Sequence, residues 1–240
     1  AYTVSEREHW VSAAGGLVGI LTVLWVSEFW LQGQGGLFII ASMGASAVLL
    51  FAAPHGAMSQ PWSVLGGHMV SALIGVTCQH WLGAEPMLAA SLAVALSIAA
   101  MYTLRCLHPP GGATALNAVM GGETVHALGY GYFFDPVLLN IVVMLGVAVA
   151  FNYPFAWRRY PQRWMRPQAA SATPQAEAPE AAEKMIPHSD LVYALSQIDT
   201  FVDVSEEDLQ RIYALALGHH HAAAETAAQA PVAAVEPARS

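Results

Sequence analysis

Arg105-Cys106-Leu107-His108-Pro109-Pro110-Gly111-Gly112-Ala113-Thr114-Ala115-Leu116 lies inside a nearly unbroken apolar region and decides the fold. Two consecutive prolines end any incoming helix and push His108 toward extended backbone. The two glycines then free the chain to turn before a new short apolar run begins. In lipid such a break persists only where it is buried in protein or lines a polar cavity, because hydrocarbon offers no partner to a bare peptide group.

Working outward, residues 11–30 are mostly apolar and number about twenty, enough for the roughly 30 Å of a hydrocarbon core. Residues 64–82, 87–104 and 137–155 form comparable runs. Residues 37–53 form a shorter one containing Gly44, and residues 111–120 would rise only about 15 Å as a helix. Residues 1–166 hold six Lys or Arg and six Asp or Glu, too few to solvate a large soluble helical protein. The expected fold is therefore an all-α membrane protein with about six membrane segments, including short broken or re-entrant helices.

The N-terminus, with Glu6, Arg7 and Glu8 before a full-length span, lacks the pattern of a cleaved leader, so the first helix is expected to be retained. Cys78 and Cys106 fall in or beside membrane segments and read as packing residues. The charge balance changes near residue 167: the first 166 residues sum to zero, and the remainder supplies the net −8. This divides the chain into a membrane domain (1–166), an Ala/Pro/Gln/Glu-rich flexible linker (167–187), a small cytoplasmic pair of amphipathic helices (188–218) and a disordered tail (219–240).

Arg158, Arg159, Arg163 and Arg166 crowd beyond the last span, and the positive-inside rule puts them in the cytoplasm. Six crossings then place Arg7 and Arg105 inside too, with both termini cytoplasmic and the acidic turns at Glu85, Glu123 and Asp135 outside. Trp10, Trp30, Trp62, Trp81, Trp157 and Trp164 fall near span ends as interfacial anchors. Small residues recur at helical spacing: Gly15 with Gly19, then Gly67, Ser71 and Gly75, then Ala89, Ala93, Ser97 and Ala100. They let backbones approach closely and leave room for a homo-oligomer.

Gly44-Ala45-Ser46-Ala47-Val48 and Gly112-Ala113-Thr114-Ala115-Leu116 match as Gly-Ala-hydroxyl-Ala-apolar, each in the short middle member of a long, short, long set. This is compatible with a 3+3 inverted repeat over 11–82 and 87–155, although so short a match also arises by chance in a Gly- and Ala-rich chain. With the repeat, short helices starting near Gly44 and Gly111 would aim free N–H groups at the midplane. A small anion would be held there without a buried cation, and Ser46 and Thr114 would add hydroxyl donors. Without it, Gly44 is a packing contact and the hydroxyls bond their own backbone.

His108-Pro109-Pro110-Gly111-Gly112-Ala113-Thr114-Ala115-Leu116 resembles the signature of the HPP family of integral membrane proteins. The likeness extends to Gly44 through Phe51, Gln60-Pro61-Trp62, Gly66-Gly67-His68 and Asn152-Tyr153-Pro154, and covers roughly residues 8–166. It implies four membrane helices, fewer than the apolar runs suggest, so the short segments are where the two counts differ. Some plant and cyanobacterial members are associated with nitrite transport, and the resemblance implies nitrite here.

His68 and His108 are the membrane histidines able to touch an anion or to serve as structural hydrogen-bonding groups. His55, His68, His108 and His126 lack metal-ligand spacing, so no metal or cofactor is expected, and no nucleophile, phosphate loop or nucleic-acid patch points to an enzyme or to nucleic acid. The expectation is a transporter or channel for a small inorganic anion in a lipid bilayer, a bacterial inner membrane being the setting. Its candidate site is Gly44, Ala45, Ser46, His68, His108, Gly111, Gly112, Ala113 and Thr114, with Pro109 and Pro110 as the structural break. The alternative is a membrane sensor or scaffold acting through its cytoplasmic helices.

Overall fold

Pro61, Pro86 and Pro110 each open a helix in the computed structural model, which describes residues 6–31, 36–162, 209, 210, 212 and 213. Proline suits the first turn because the N–H it lacks has no helical partner there. Among the described residues the order is α1 (Glu6–Leu31), α2 (Gly36–Ala52), a 3₁₀ turn (Ala57–Ser59), α3 (Pro61–Leu82), α4 (Pro86–Thr103), α5 (Pro110–Met120), α6 (Gly122–Leu128) and α7 (Leu139–Asn152). A wide-turned stretch, Phe133–Leu138, interrupted at Asp135, leads into α7. No strand occurs among these residues.

Four segments are long and apolar enough to cross a membrane: Glu6–Phe29, Pro61–Leu82, Pro86–Thr103 and Phe133–Asn152. The other two apolar helices are shorter. With 17 residues α2 rises about 25 Å, and with 11 residues α5 rises about 16 Å. The chain divides into Ala1–Ala170 and Ser171–Ser240. Of the second unit, residues 209, 210, 212 and 213 are helical. The expected linker, nearly all of the cytoplasmic helical pair and the tail lie outside the described residues, as do Arg163, Trp164 and Arg166.

The break stands where the prolines put it: α4 ends at Thr103, α5 begins at Pro110, and Arg105 between them takes a left-handed φ of 53°. The matching break at Gly44 does not occur. Helix α2 runs unbroken through that residue, and a Cβ built on Gly44 meets nothing within 4 Å, so it is neither a helix start nor a packing contact. The two middle segments therefore differ in kind, one continuous and one starting at a break.

Other glycines are packing devices. A Cβ on Gly15 or Gly19 of α1 would come within 2.5 or 2.6 Å of the Phe51 ring from α2, so that pair seats an aromatic side chain of the same chain. A Cβ on Gly75 would stand 2.7 Å from both the Ala115 carbonyl and the Ala118 Cβ, which makes α3 against α5 a backbone-close seam. On α4, Ala89, Ala93 and Ser97 are buried while Leu88, Leu92 and Leu96 face outward, as expected of a helix with one packed and one lipid-facing side.

Helices α1 and α7 run antiparallel, tied at one end by the Glu8–Arg158 ion pair (2.7 Å) and toward the other by Ser27 donating to Asn140 Oδ1 (2.7 Å). Both ends of the membrane body thus lie on one side of the bundle, together with the α2–α3 turn and the residues preceding α5. Arg7, Arg105, Arg158 and Arg159 are all at this end, while Glu28, Glu85, Glu123 and Asp135 belong to the opposite half. Trp10, Trp62, Trp81 and Trp157 are exposed at helix ends.

Candidate functional site

Four polar side chains meet at the break, each from a different segment: Ser46 on α2, His68 on α3, His108 before α5 and Thr114 on α5. All four are fully buried. His68 follows Pro61 by seven residues, about 10 Å along α3, so the cluster lies nearer the basic end than the midplane expected from the sequence. Gly67 makes the approach possible, because a Cβ there would stand 2.6 Å from the His108 Cβ, and one on Gly111 would stand 2.7 Å from the Gly67 carbonyl.

The distances form one chain: His108 Nδ1 to the Met58 carbonyl, 2.8 Å; His108 Nε2 to Ser46 Oγ, 2.9 Å; Ser46 Oγ to His68 Nε2, 2.8 Å; His68 Nδ1 to Thr114 Oγ1, 2.7 Å. A carbonyl only accepts, so the Met58 end fixes every direction for neutral rings. His108 donates from Nδ1, and its Nε2 accepts the Ser46 hydroxyl. Ser46 then accepts from His68 Nε2–H, and His68 Nδ1 accepts the Thr114 hydroxyl. Both tautomers follow from that one carbonyl. The rings sit edge to face, 4.9 Å between centroids.

Two N–H groups of the expected cradle are taken. Gly111 N donates to the His108 carbonyl (2.8 Å) and Gly112 N to the Pro109 carbonyl (3.0 Å), so these groups are not free for an anion. A Cβ on Gly112 would meet only Val94 on α4, at 3.9 Å, and Ala113 is half-buried. Ala45 is exposed on α2, away from the face that carries Ser46. Of the nine candidates, Ser46, His68, His108 and Thr114 come together, Gly111 packs against α3 beside them, and Gly44, Ala45, Gly112 and Ala113 do not take part. Pro109 and Pro110 do shape the break.

Further buried polar groups lie within the membrane body. Tyr132 donates its hydroxyl to the Thr114 carbonyl (3.2 Å) and accepts from Asn117 Nδ2 (3.1 Å). Ser71 Oγ and Asn140 Nδ2 are buried without a hydrogen-bond partner among the described residues. His126 stands apart, donating from Nε2 to the Val119 carbonyl (2.8 Å).

A second polar knot was not foreseen. Arg158, one of the arginines that the positive-inside rule assigns to the cytoplasmic side, is 1% exposed. Its Nη1 donates to Glu8 Oε1 (2.7 Å) and Ser12 Oγ (3.1 Å), its Nε to Asn152 Oδ1 (3.2 Å), and its Nη2 to the Phe51 carbonyl. Burial pulls its guanidinium below the usual range and Glu8 pulls it back up. Nearby, Tyr160 donates to the Ser59 carbonyl (2.7 Å), and burial pushes its phenol above the usual range. The available signal was Glu8 and Arg158 flanking the first and last spans.

The profile of the family described as "HPP, transmembrane region" matches residues 1–161. Two transmembrane proteins of Dictyostelium discoideum are each 40% identical to the chain, one over 131 residues (53% of this chain and 42% of the relative), the other over 129 residues (52% and 45%). The chain therefore spans under half the length of these relatives. No solved structure matches it.

Proposed function

The chain belongs to the HPP family of transmembrane proteins, and on that premise we propose that its membrane body carries a small inorganic anion across the bilayer, nitrite being the substrate the family resemblance favours. The observation that carries the reading is the buried Ser46–His68–His108–Thr114 chain at the helix break. Polar groups at membrane depth are expensive and mark substrate or proton paths. Nothing structural demands two imidazoles here, since an apolar contact would pack α3 against α5 equally well.

In this reading the substrate is held by side-chain hydroxyls and imidazoles, and the α5 N-terminus contributes position only. Because all four groups are fully buried, the observed state is closed to both sides. A substrate reaches them only when α2 moves off α5 or the α4–α5 loop moves off α3, which makes the protein a carrier rather than an open pore. Helix α2 crosses with the four long helices, and α5 with α6 completes the return, so both ends of the membrane body face the basic side. By the positive-inside rule that side is the cytoplasm.

Purified protein in liposomes is the test. Nitrite entry above that of protein-free vesicles, saturating with concentration, with sulfate and potassium excluded, is the expected result. Nitrite entry at the protein-free rate would contradict the reading.

A further inference from the structure

We infer that the anion crosses together with one proton, the two brought into register by reversal of hydrogen-bond direction in the Ser46–His68–His108–Thr114 chain; this rests on the anion-carrier reading above. In the resting chain both hydroxyl protons are committed, Thr114 to His68 Nδ1 and Ser46 to His108 Nε2. Neither hydroxyl of the four-residue chain is left over to donate to an anion. When a proton binds His68 Nδ1, the nitrogen lone pair forms an N–H bond, and that N–H must donate. Thr114 Oγ1 then becomes its acceptor and the Thr114 O–H is released. A proton on His108 Nε2 releases the Ser46 O–H in the same way. Each proton taken up thus supplies one imidazolium charge and one free hydroxyl donor, the two things a small anion lacks in the resting site.

The balance closes with either proton source. A weak acid such as nitrous acid gives its proton to the ring nitrogen and keeps the O–H electron pair, leaving nitrite beside imidazolium, with no net charge gained. A proton and a nitrite ion arriving separately reach the same state. On the other side the proton returns to nitrite or leaves beside it, and the hydroxyl turns back onto the ring.

The surroundings favour one proton. The rings are 4.9 Å apart, so a second imidazolium would face the first at close range. Helices α2, α4 and α5 carry no Asp, Glu, Lys or Arg, and the 3₁₀ turn carries none. Besides His68, α3 bears only Cys78 and His80, which lie about three turns further on. In neighbouring segments the charged or titratable groups are Tyr132, whose hydroxyl donates to the Thr114 carbonyl, Tyr102, His55, Arg105 and Cys106, His126, Asp135, and the Glu8–Arg158 pair with Arg159 and Tyr160. Among the described residues no Lys or Arg is hydrogen-bonded to Ser46, His68, His108 or Thr114, and an uncompensated charge at this depth is strongly disfavoured. The proton is what remains.

Liposomes containing the full chain, with a trapped pH dye and a potassium–valinomycin clamp, measure nitrite and proton entry together. We expect one proton per nitrite above protein-free vesicles, with a rate changed less than about twofold by the imposed potential, since one elementary charge crossing alone would feel about 2.3 kcal/mol per 100 mV. His68→Gln and His108→Gln keep a side-chain donor but accept no proton, and each should lower linked flux about tenfold or more. Nitrite entry that follows the potential without protons would overturn this inference and leave the carrier reading standing. One-to-one flux that both Gln variants retain would overturn the assignment to this chain. If neither variant reconstitutes, the wild-type stoichiometry still decides. Absence of nitrite entry would remove the carrier reading as well.

Discussion

Two polar knots hold this bundle, and they differ in charge and in burial, Glu8 being partly exposed in one and all four side chains fully buried in the other. The knot at the basic end joins Arg158 to Glu8, Ser12, Asn152 and the Phe51 carbonyl, and so ties α1, α2 and α7 together. The knot at the break joins Ser46, His68, His108 and Thr114 without a formal charge. A guanidinium donates in fixed directions and gives up no proton, so the first arrangement can only stay or break. Hydroxyls both donate and accept, so when a ring of the second takes up a proton its bond to the neighbouring hydroxyl can reverse without losing its partner. The charged knot therefore serves as structure, and the neutral one suits moving a substrate.

The largest expected effect breaks the first side of that comparison. Arg158→Leu takes the ion partner from Glu8, which keeps its hydrogen bond from Trp157 Nε1 (2.8 Å), and removes the guanidinium donor from Asn152 Oδ1 and the Phe51 carbonyl. Removing one member of a buried ion pair destabilises by about 3–5 kcal/mol, which should appear as aggregation in detergent at temperatures the wild type survives. Arg158→Lys should recover only part of this, because an ammonium cannot fork across the same acceptors.

Next comes the seam that seats the neutral knot. Gly67→Ala places a Cβ 2.6 Å from the His108 Cβ and should destabilise by about 1–3 kcal/mol, with the loop before α5 shifted. Ser46→Ala should cost about as much, because it leaves His68 Nε2–H and His108 Nε2 without partners in a buried site. Thermal midpoints in one detergent would rank the three variants. Arg158→Leu falling above the other two would break the distinction drawn between the knots. At the small end, Gly44→Ala should raise stability by about 0.5–1 kcal/mol, since the helix is continuous there and the added methyl meets nothing. A loss would mean that Gly44 is a hinge after all.

The break was readable in the sequence because proline and glycine act locally: Pro109-Pro110 removes N–H groups and fixes φ whatever surrounds it. Gly44 misled because glycine permits a break without requiring one, and its likeness to Gly112 lay in composition alone. The four chain-forming residues were each marked, two as histidines and two as hydroxyls in matched positions. Their meeting was not readable, since Ser46 lies 22 residues from His68 and 62 from His108. Only the packing of α2 against α5 and the close α3–α5 seam bring them together. Arg158 was hidden by a sound rule applied too simply, because positive residues beyond the last span can fold back under the bundle as well as face water.

Nitrite uptake by liposomes carrying Ser46→Ala, compared with Arg158→Lys at equal incorporation of monodisperse protein, tests the assignment most directly. Among the described residues, Ser46 is the only side chain bonded to both imidazoles. Its loss should lower uptake about tenfold, the equivalent of 1.4 kcal/mol in the barrier, while Arg158→Lys stays within about twofold of wild type. Wild-type uptake by Ser46→Ala would contradict the account, because the neutral chain would then be structure and the path for nitrite would lie elsewhere.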